Sequence, residues 1–410
     1  MDGSASLRPE AFDAFSRETI EDPYPFYRAM RKHAPVFRPR GSDWWYVTRY
    51  DDIKTVARDP ETYSSKIVAI LLTGGGGRLM RVPNLPGFPV DVLAIADPPV
   101  HGVHRKISTA GLGRNFPHEL EPWMTSKVST MLDAVIASGS FDWMEAVAFR
   151  LPMQVALHLL SLDTEQYDLA KRLSDDAIDL LAGTTTKLRM ARDMMGAFRL
   201  YRWCARAFAA ARRQKSEGLM GALVDAVEAG TLDHKEASSM VLQIIIAGSD
   251  SSASLMGSAV SMLATRPELQ EELRAHPELI PAFVEETIRL EAPFQGHFRQ
   301  TTRDCELGGT SLPAGARLFL AWASGNRDES HYPDPERIDL RRTRPRAHFS
   351  FGHGIHLCIG AALGRLEARL AVAQLLERTS SIELDTGSLR HRSSVFVRTL
   401  ESCPIRVVAR

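Results

Sequence analysis

From about His234 to Thr265 the chain carries one uninterrupted helical pattern, opened by Asp233 and Glu236 at capping-box spacing and stopped by Arg266-Pro267. At 1.5 Å per residue such a helix is about 48 Å long. It crosses an entire domain, so the rest of the chain must pack around it. Its apolar stretch, Val241 to Ala247, is too short to span a bilayer, which makes it the core helix of a globular fold. The chain has 410 residues, 44% of them hydrophobic and 24% charged, enough for an extensive core. No Gly/Ser- or Pro-rich linker and no internal repeat divides it, so a single domain over residues 1–410 is expected, with a flexible N-terminus at 1–17.

Helical periodicity dominates elsewhere too, for example at Ile359, Leu363, Leu366, Leu370, Ala373 and Leu376. Short β-type runs occur at Trp44 to Thr48, Leu312 to Leu320 and Ile405 to Val408, each flanked by turn residues. The expected class is mainly α with small β-sheets (α+β). Lys66 to Val92 lacks periodicity and reads as a mobile loop. Its Gly74 to Gly77 run is no phosphate loop, because no Lys-Ser/Thr follows.

Fifty basic residues balance fifty acidic ones, so there is no bulk field for nucleic acid or an anionic membrane. Met1 to Arg17 holds no apolar run of signal or anchor length, and a cytoplasmic protein is expected. Cysteines 204, 305, 358 and 403 form no CxxC pair and no disulfide framework, and no second ligand pair accompanies His356 and Cys358 for zinc.

The chemistry concentrates in Phe351-Gly352-His353-Gly354-Ile355-His356-Leu357-Cys358-Ile359-Gly360. One cysteine sits on a glycine-shaped loop that runs into a helix, whose free N–H groups and positive dipole end favour a thiolate. Glycine there lets backbone approach a flat macrocycle with no Cβ in the way. Phe351 is placed to shield the sulfur from water. The pattern is that of a thiolate ligand to haem iron.

This loop resembles the haem-binding loop of the cytochrome P450 family, and further motifs of that family follow in order along nearly the whole chain. The resemblance implies haem b with Cys358 as its metal ligand, buried between the long helix and the cysteine-loop helix. Phe351, Gly360, Ala247 and Gly248 would then be haem neighbours. Gly364 stands where the family usually has alanine, a departure with a cost in helix propensity of about 1 kcal/mol. Ala247-Gly248-Ser249-Asp250-Ser251-Ser252 resembles the oxygen-binding element, with Ser251 in place of threonine and Asp250 and Ser251 as the catalytic proton relay. Without the threonine methyl, a looser serine rotamer and more futile peroxide release are expected. His101, Arg105, Arg299 and His356 match propionate-binding positions, where carboxylates seek charge-assisted hydrogen bonds. His104 and His353 are not expected to ligate iron.

Glu286 and Arg289 form Glu-x-x-Arg at i, i+3 on one helix face, and Pro335-Glu336-Arg337-Ile338 resembles the family's meander, which implies that Arg337 joins them in a buried structural network. Gln243, Ala247, Phe294, Gln295 and Phe396 are candidate substrate contacts, with Gln243 also readable as a satisfied core amide. The run Arg341-Arg342-Thr343-Arg344-Pro345-Arg346, with Lys106, Arg114 and Arg365, reads as a basic dock for an acidic ferredoxin or as a solvated turn. The implied activity is insertion of one oxygen atom from O2 into an apolar or amphipathic small molecule, in secondary metabolism, with electrons from NAD(P)H through a separate reductase and ferredoxin. Rival readings keep the fold and change the reaction to coupling, desaturation, nitration or peroxide-driven oxygenation, or make the chain a haem-thiolate sensor.

Overall fold

A computed structural model describes residues 7–66, 70–72, 78–80, 90, 92–113, 115–181, 187–385, 387 and 389–410. The long helix runs His234–Ala264 and opens on the expected capping box: the Asp233 carboxylate accepts from the Glu236 N–H at 2.7 Å, and the Glu236 carboxylate accepts from the Asp233 N–H at 2.8 Å. Among the described residues it is the one helix long and apolar enough to cross a membrane, and most of that stretch is buried in protein.

Two apolar cores meet along this helix. Its first half, including Ala237, Met240, Val241 and Ile245, packs with Leu200, Phe208, Leu219 and Leu223. Its second half, including Ala253, Met256, Val260 and Leu263, packs with Leu363 to Leu376 of the cysteine-loop helix (Ala361–Arg378) and with Phe283 to Leu290 of the Glu-x-x-Arg helix (Ile280–Leu290). Trp143 pins the second half by donating its indole N–H to the Met256 carbonyl at 3.1 Å. The polar segment Gly248 to Ser252 falls at the seam between the two cores, after Ile245 of the first and before Ala253 of the second.

The strands gather into small sheets. Trp44–Val47 pairs in parallel with Arg317–Leu320, which pairs antiparallel with His297–Thr301; Val36–Phe37 and Tyr63–Ser64 close the edges. The run expected over Leu312 to Leu320 is two strands, Thr310–Leu312 and Arg317–Leu320, because Pro313-Ala314-Gly315 turns the chain between them, with Gly315 at φ +82°. Pro404–Ala409 pairs with Thr379–Leu384 and Ser140–Asp142 in a second sheet.

Of the terminus 1–17 expected to be flexible, residues 1–6 lie outside the described residues and the rest packs on the body. Pro9–Ala11 forms a helical turn, Phe12 packs on Phe26 and Phe15 on Trp44 with ring centroids 5.5 and 5.3 Å apart, and the Ser16 hydroxyl caps the helix Arg17–Glu21. Aromatic burial holds this segment. Gly74 to Gly77, Arg114 and most of the expected 66–92 loop lie outside the described residues.

Candidate active site

Three glycines, Gly352, Gly354 and Gly360, lie in the cysteine loop, and two of them carry its geometry. Gly352 and Gly354 have φ of +73° and +71°, and a Cβ on Gly354 would stand 2.1 Å from the Ala57 carbonyl oxygen. Only glycine fits there. The turn closes when the Cys358 N–H donates to the Phe351 carbonyl at 2.8 Å. The 18-residue helix Ala361–Arg378 begins three residues after Cys358. Cys358 keeps an accessible face although protein crowds it from the sides. That crowding pushes the thiol pKa up, opposed by the Gly360 N–H and by the charges of Arg105 and Arg365. The Gly360 N–H favours the thiolate, as the sequence suggests, and burial works against it. A metal cation at the sulfur reverses this balance, since a coordinating thiol is deprotonated outright.

Around the loop the structure assembles the expected cationic side chains. Arg105, on the helix Val100–Leu112, donates to the Leu357 carbonyl at 2.7 Å, and His101, one turn earlier, stacks edgewise on His356 with centroids 4.4 Å apart. Arg299 is buried and donates to the neighbouring Phe298 carbonyl at 2.7 Å. Burial pushes its pKa down to about 10 and, with the charges of Arg299, His101, His297 and Arg105, pushes His356 down to about 3. His356 shares a hydrogen bond with the Ser65 hydroxyl at 2.8 Å through Nε2, while its buried Nδ1 has no partner among the described residues. The nearby carboxylate, Asp97, is engaged by the Ser64 hydroxyl at 2.5 Å and the Ser65 N–H at 2.7 Å. A cluster of buried donors whose charge is disfavoured, with an orphaned imidazole nitrogen, fits an anionic group with several acceptor oxygens. Two propionates on a haem meet that requirement.

The other side of the site is the long helix at its seam. Ala247 is exposed on an otherwise buried helix, and Gly248 leaves room of ordinary contact size, 3.6 Å from the Ala156 Cβ. The helix stays continuous through Gly248. Asp250 is 6% exposed and accepts from the Thr399 hydroxyl at 3.2 Å. Burial raises its pKa, partly offset by Arg392, Lys171 and the Thr399 hydrogen bond. The Ser251 hydroxyl donates to the Ala247 carbonyl at 2.8 Å, so a helix carbonyl, rather than a methyl group, sets its rotamer. Ser249 bonds back to the Ile245 carbonyl and Ser254 to the Arg398 carbonyl, both structural roles.

The candidate substrate contacts divide. Phe294 and Phe396 stack edgewise, centroids 5.3 Å apart, and are half-buried. Gln243 accepts from the Ala94 N–H at 3.2 Å through its amide oxygen. Gln295 does not join the wall. It is 2% exposed, its side-chain amide donates to the Ala292 carbonyl at 2.9 Å and its backbone N–H to the Phe396 carbonyl at 2.8 Å, while its buried Oε1 has no partner among the described residues. His104 accepts from the Leu93 N–H and lies 3.6 Å from Glu236, and His353 faces Arg58 at 3.0 Å, so neither is directed to a metal.

The buried network forms with a different arginine. Glu286 and Arg289 are fully buried and paired in bidentate fashion at 2.7 and 2.9 Å. The third member is Arg342, whose Nε donates to Glu286 at 3.0 Å; Arg337 is exposed and contributes only its carbonyl, to Arg289. The meander places its 337 side chain outward and its 342 side chain inward. This also changes the basic run, since Arg341 pairs with Glu272, Arg342 with Glu286 and Arg346 lies 3.7 Å from Glu285. Arg365 also pairs with Glu285 and lies 4.2 Å above the Phe351 ring, while Lys106 is exposed. A groove of about 610 Å³, lined by Arg266 and Glu272 at the helix Pro267–Ala275 and by Glu336 and Arg341, shares no residue with the cysteine-loop cluster.

Thr399, the network role of Arg342, the Glu285–His348 pair at 2.9 Å and His297 went unnoticed in the sequence. Only His297 left a usable trace there, two residues before Arg299 in a strand and so on the same face.

Together, the loop cysteine, the carboxylate-binding cluster and the buried acid on a core helix define a haem-thiolate site. The model of the cytochrome P450 family matches residues 275–388. Cytochrome P450 144 of Mycobacterium tuberculosis is 35% identical over 404 residues, 98% of this chain and 93% of that protein. The steroid C26-monooxygenase of the same species is 32% identical over 383 residues, 92% of each. The crystal structure of CalO2 superposes with a TM-score of 0.87 at 28% identity, covering 97% of this chain and 99% of that one. The chain belongs to the cytochrome P450 family. It is a monooxygenase-type oxidoreductase that uses O2, and its cofactor is haem b with a cysteine thiolate ligand.

Proposed function

We propose that Cys358 is the thiolate ligand and that this enzyme hydroxylates apolar or amphipathic ring compounds in the cytoplasm. The observation that carries the ligand assignment is the loop itself: an accessible sulfur beside the Gly360 N–H, on a turn that only glycine can make at 354, next to the donor cluster. His101, Arg105, Arg299 and His356 hold the two propionates, and Phe351, Ala247, Gly248 and Gly360 border the macrocycle. Haem bound there supplies dioxygen activation, with the thiolate donating electron density.

Asp250 holds a proton readily because burial raises its pKa, and Thr399 orients the carboxyl by donating to Oδ2. Ser251 presents its hydroxyl one residue on, held on the Ala247 carbonyl until it rotates to pass a proton. Phe294 and Phe396 supply an apolar wall that excludes water, in keeping with the steroid named for one relative. Electrons come from NAD(P)H through a reductase and an acidic ferredoxin docking near Lys106 and Arg344. The docking charge is smaller than the arginine run suggests, since its other arginines have acidic partners.

The test is the carbonyl complex of the reduced protein. The expected result is the red-shifted thiolate Soret band in wild type and its replacement by a histidine-type band or loss of haem in Cys358→His. A wild-type spectrum like that of a globin refutes the ligand assignment.

A further inference from the structure

His297 shares a strand face with Arg299, and its ring lies among aromatic groups, 5.3 Å from Phe294 and 5.2 Å from Phe396 between centroids. Its Nδ1 lies 2.7 Å from the indole Nε1 of buried Trp322. An indole N–H only donates, so Nδ1 must be the acceptor. An accepting imidazole nitrogen carries no proton, and the proton of the neutral ring therefore sits on Nε2. Burial and the Arg299 charge push the ring pKa down to about 3, so the ring does not take a second proton at neutral pH. Among the described residues no protein group accepts from Nε2–H, although the residue is only half-buried.

Resting on the haem-thiolate reading above, we propose that His297 is a specificity-determining residue: its Nε2–H donates to an uncharged oxygen, such as a carbonyl, on a ring compound seated against Phe294 and Phe396. A haem carboxylate could accept from the same N–H. The aromatic surroundings favour the neutral acceptor, because a carboxylate between phenyl rings is poorly solvated and Arg299 already offers a full charge two residues along. A donor built into an apolar wall discriminates by what happens when it is unmet: an analogue lacking the oxygen leaves a desolvated N–H without a partner.

The experiment compares 4-phenylcyclohexanone with phenylcyclohexane on the holoprotein, with affinity read by the haem absorbance change and by equilibrium dialysis. The wild type is expected to prefer the ketone about tenfold, as one neutral hydrogen bond at a desolvated site allows. His297→Phe should abolish that preference while changing hydrocarbon affinity less than threefold, and His297→Gln should keep part of it. Trp322→Phe, which releases the tautomer without touching the donor, should reduce the preference. An unchanged ketone preference in His297→Phe overturns the proposal. So does faster haem loss to apomyoglobin in that variant with the preference intact, which assigns the N–H to a haem carboxylate. Failure of the haem-thiolate reading shows separately, in the wild-type carbonyl spectrum.

Discussion

Arg342 and Arg337 stand five residues apart in the meander, and the structure gives them opposite weights. Replacing Arg342 by alanine removes the donor at 3.0 Å from Glu286, a carboxylate with no exposure. Glu286 keeps the bidentate Arg289 and the Asp339 N–H at 3.0 Å, so its charge is not orphaned. The loss is one charge-assisted hydrogen bond rather than a whole buried pair, about 1.5–3 kcal/mol, against about 3–5 kcal/mol for breaking the pair itself by Arg289→Ala. Arg337→Ala removes an exposed side chain whose carbonyl remains, and should lie within about 0.5 kcal/mol of wild type. Urea unfolding followed by tryptophan fluorescence on the haem-loaded proteins, compared at equal m-value, ranks the three. If Arg337→Ala destabilises as much as Arg342→Ala, the placement of the network is refuted. The pH dependence has a defined sign. Arg289 and Arg342 outweigh burial and hold the Glu286 carboxyl below its usual range, so the stability it supplies is full above the unfolded carboxylate pKa of about 4.3 and is lost as pH falls toward the folded value.

The neighbouring Glu285 extends this to the proximal side: His348 and Arg365 bring its pKa to about 2, a shift equivalent to about 3 kcal/mol, present above about pH 4.5 and lost toward pH 2. Glu285→Gln should flatten that part of the acid-stability curve, and a curve superimposable on wild type argues against it. Two glycines ten residues apart should behave oppositely. Gly364→Ala meets only ordinary contacts, Ser252 at 3.5 Å and Phe351 at 3.9 Å, and should stabilise the helix by about 0.5–1 kcal/mol in thermal unfolding. Gly354→Ala meets a carbonyl at 2.1 Å with φ +71° and should prevent stable haem incorporation, read as the ratio of Soret to protein absorbance. Ser251→Thr tests the relay: since the Ala247 carbonyl already orients the serine, peroxide released per reducing equivalent should fall less than twofold, and a large fall would show that the methyl group matters.

Much of the site was legible because its signals are local. The capping box at Asp233 and Glu236, the i, i+4 pair His101 and Arg105, and the glycines around Cys358 each act within one turn of chain, where spacing alone dictates geometry. Thr399 was not legible, since it meets Asp250 across 149 residues with no motif of its own. Gln295 misled because a polar residue beside Phe294 looks like a pocket contact, whereas its side chain is buried and donates to the Ala292 carbonyl.

The sequence by itself determined the long helix, the thiolate loop and the inventory of groups able to hold a dianionic cofactor, because capping, periodicity and glycine backbone freedom are properties of neighbouring residues. Tertiary structure alone decided which arginine enters the buried network, how far crowding raises the Cys358 thiol, and which nitrogen of His297 carries the proton. Those outcomes depend on desolvation and on partners contributed from distant segments, and neither quantity exists until the two cores close on the helix they share.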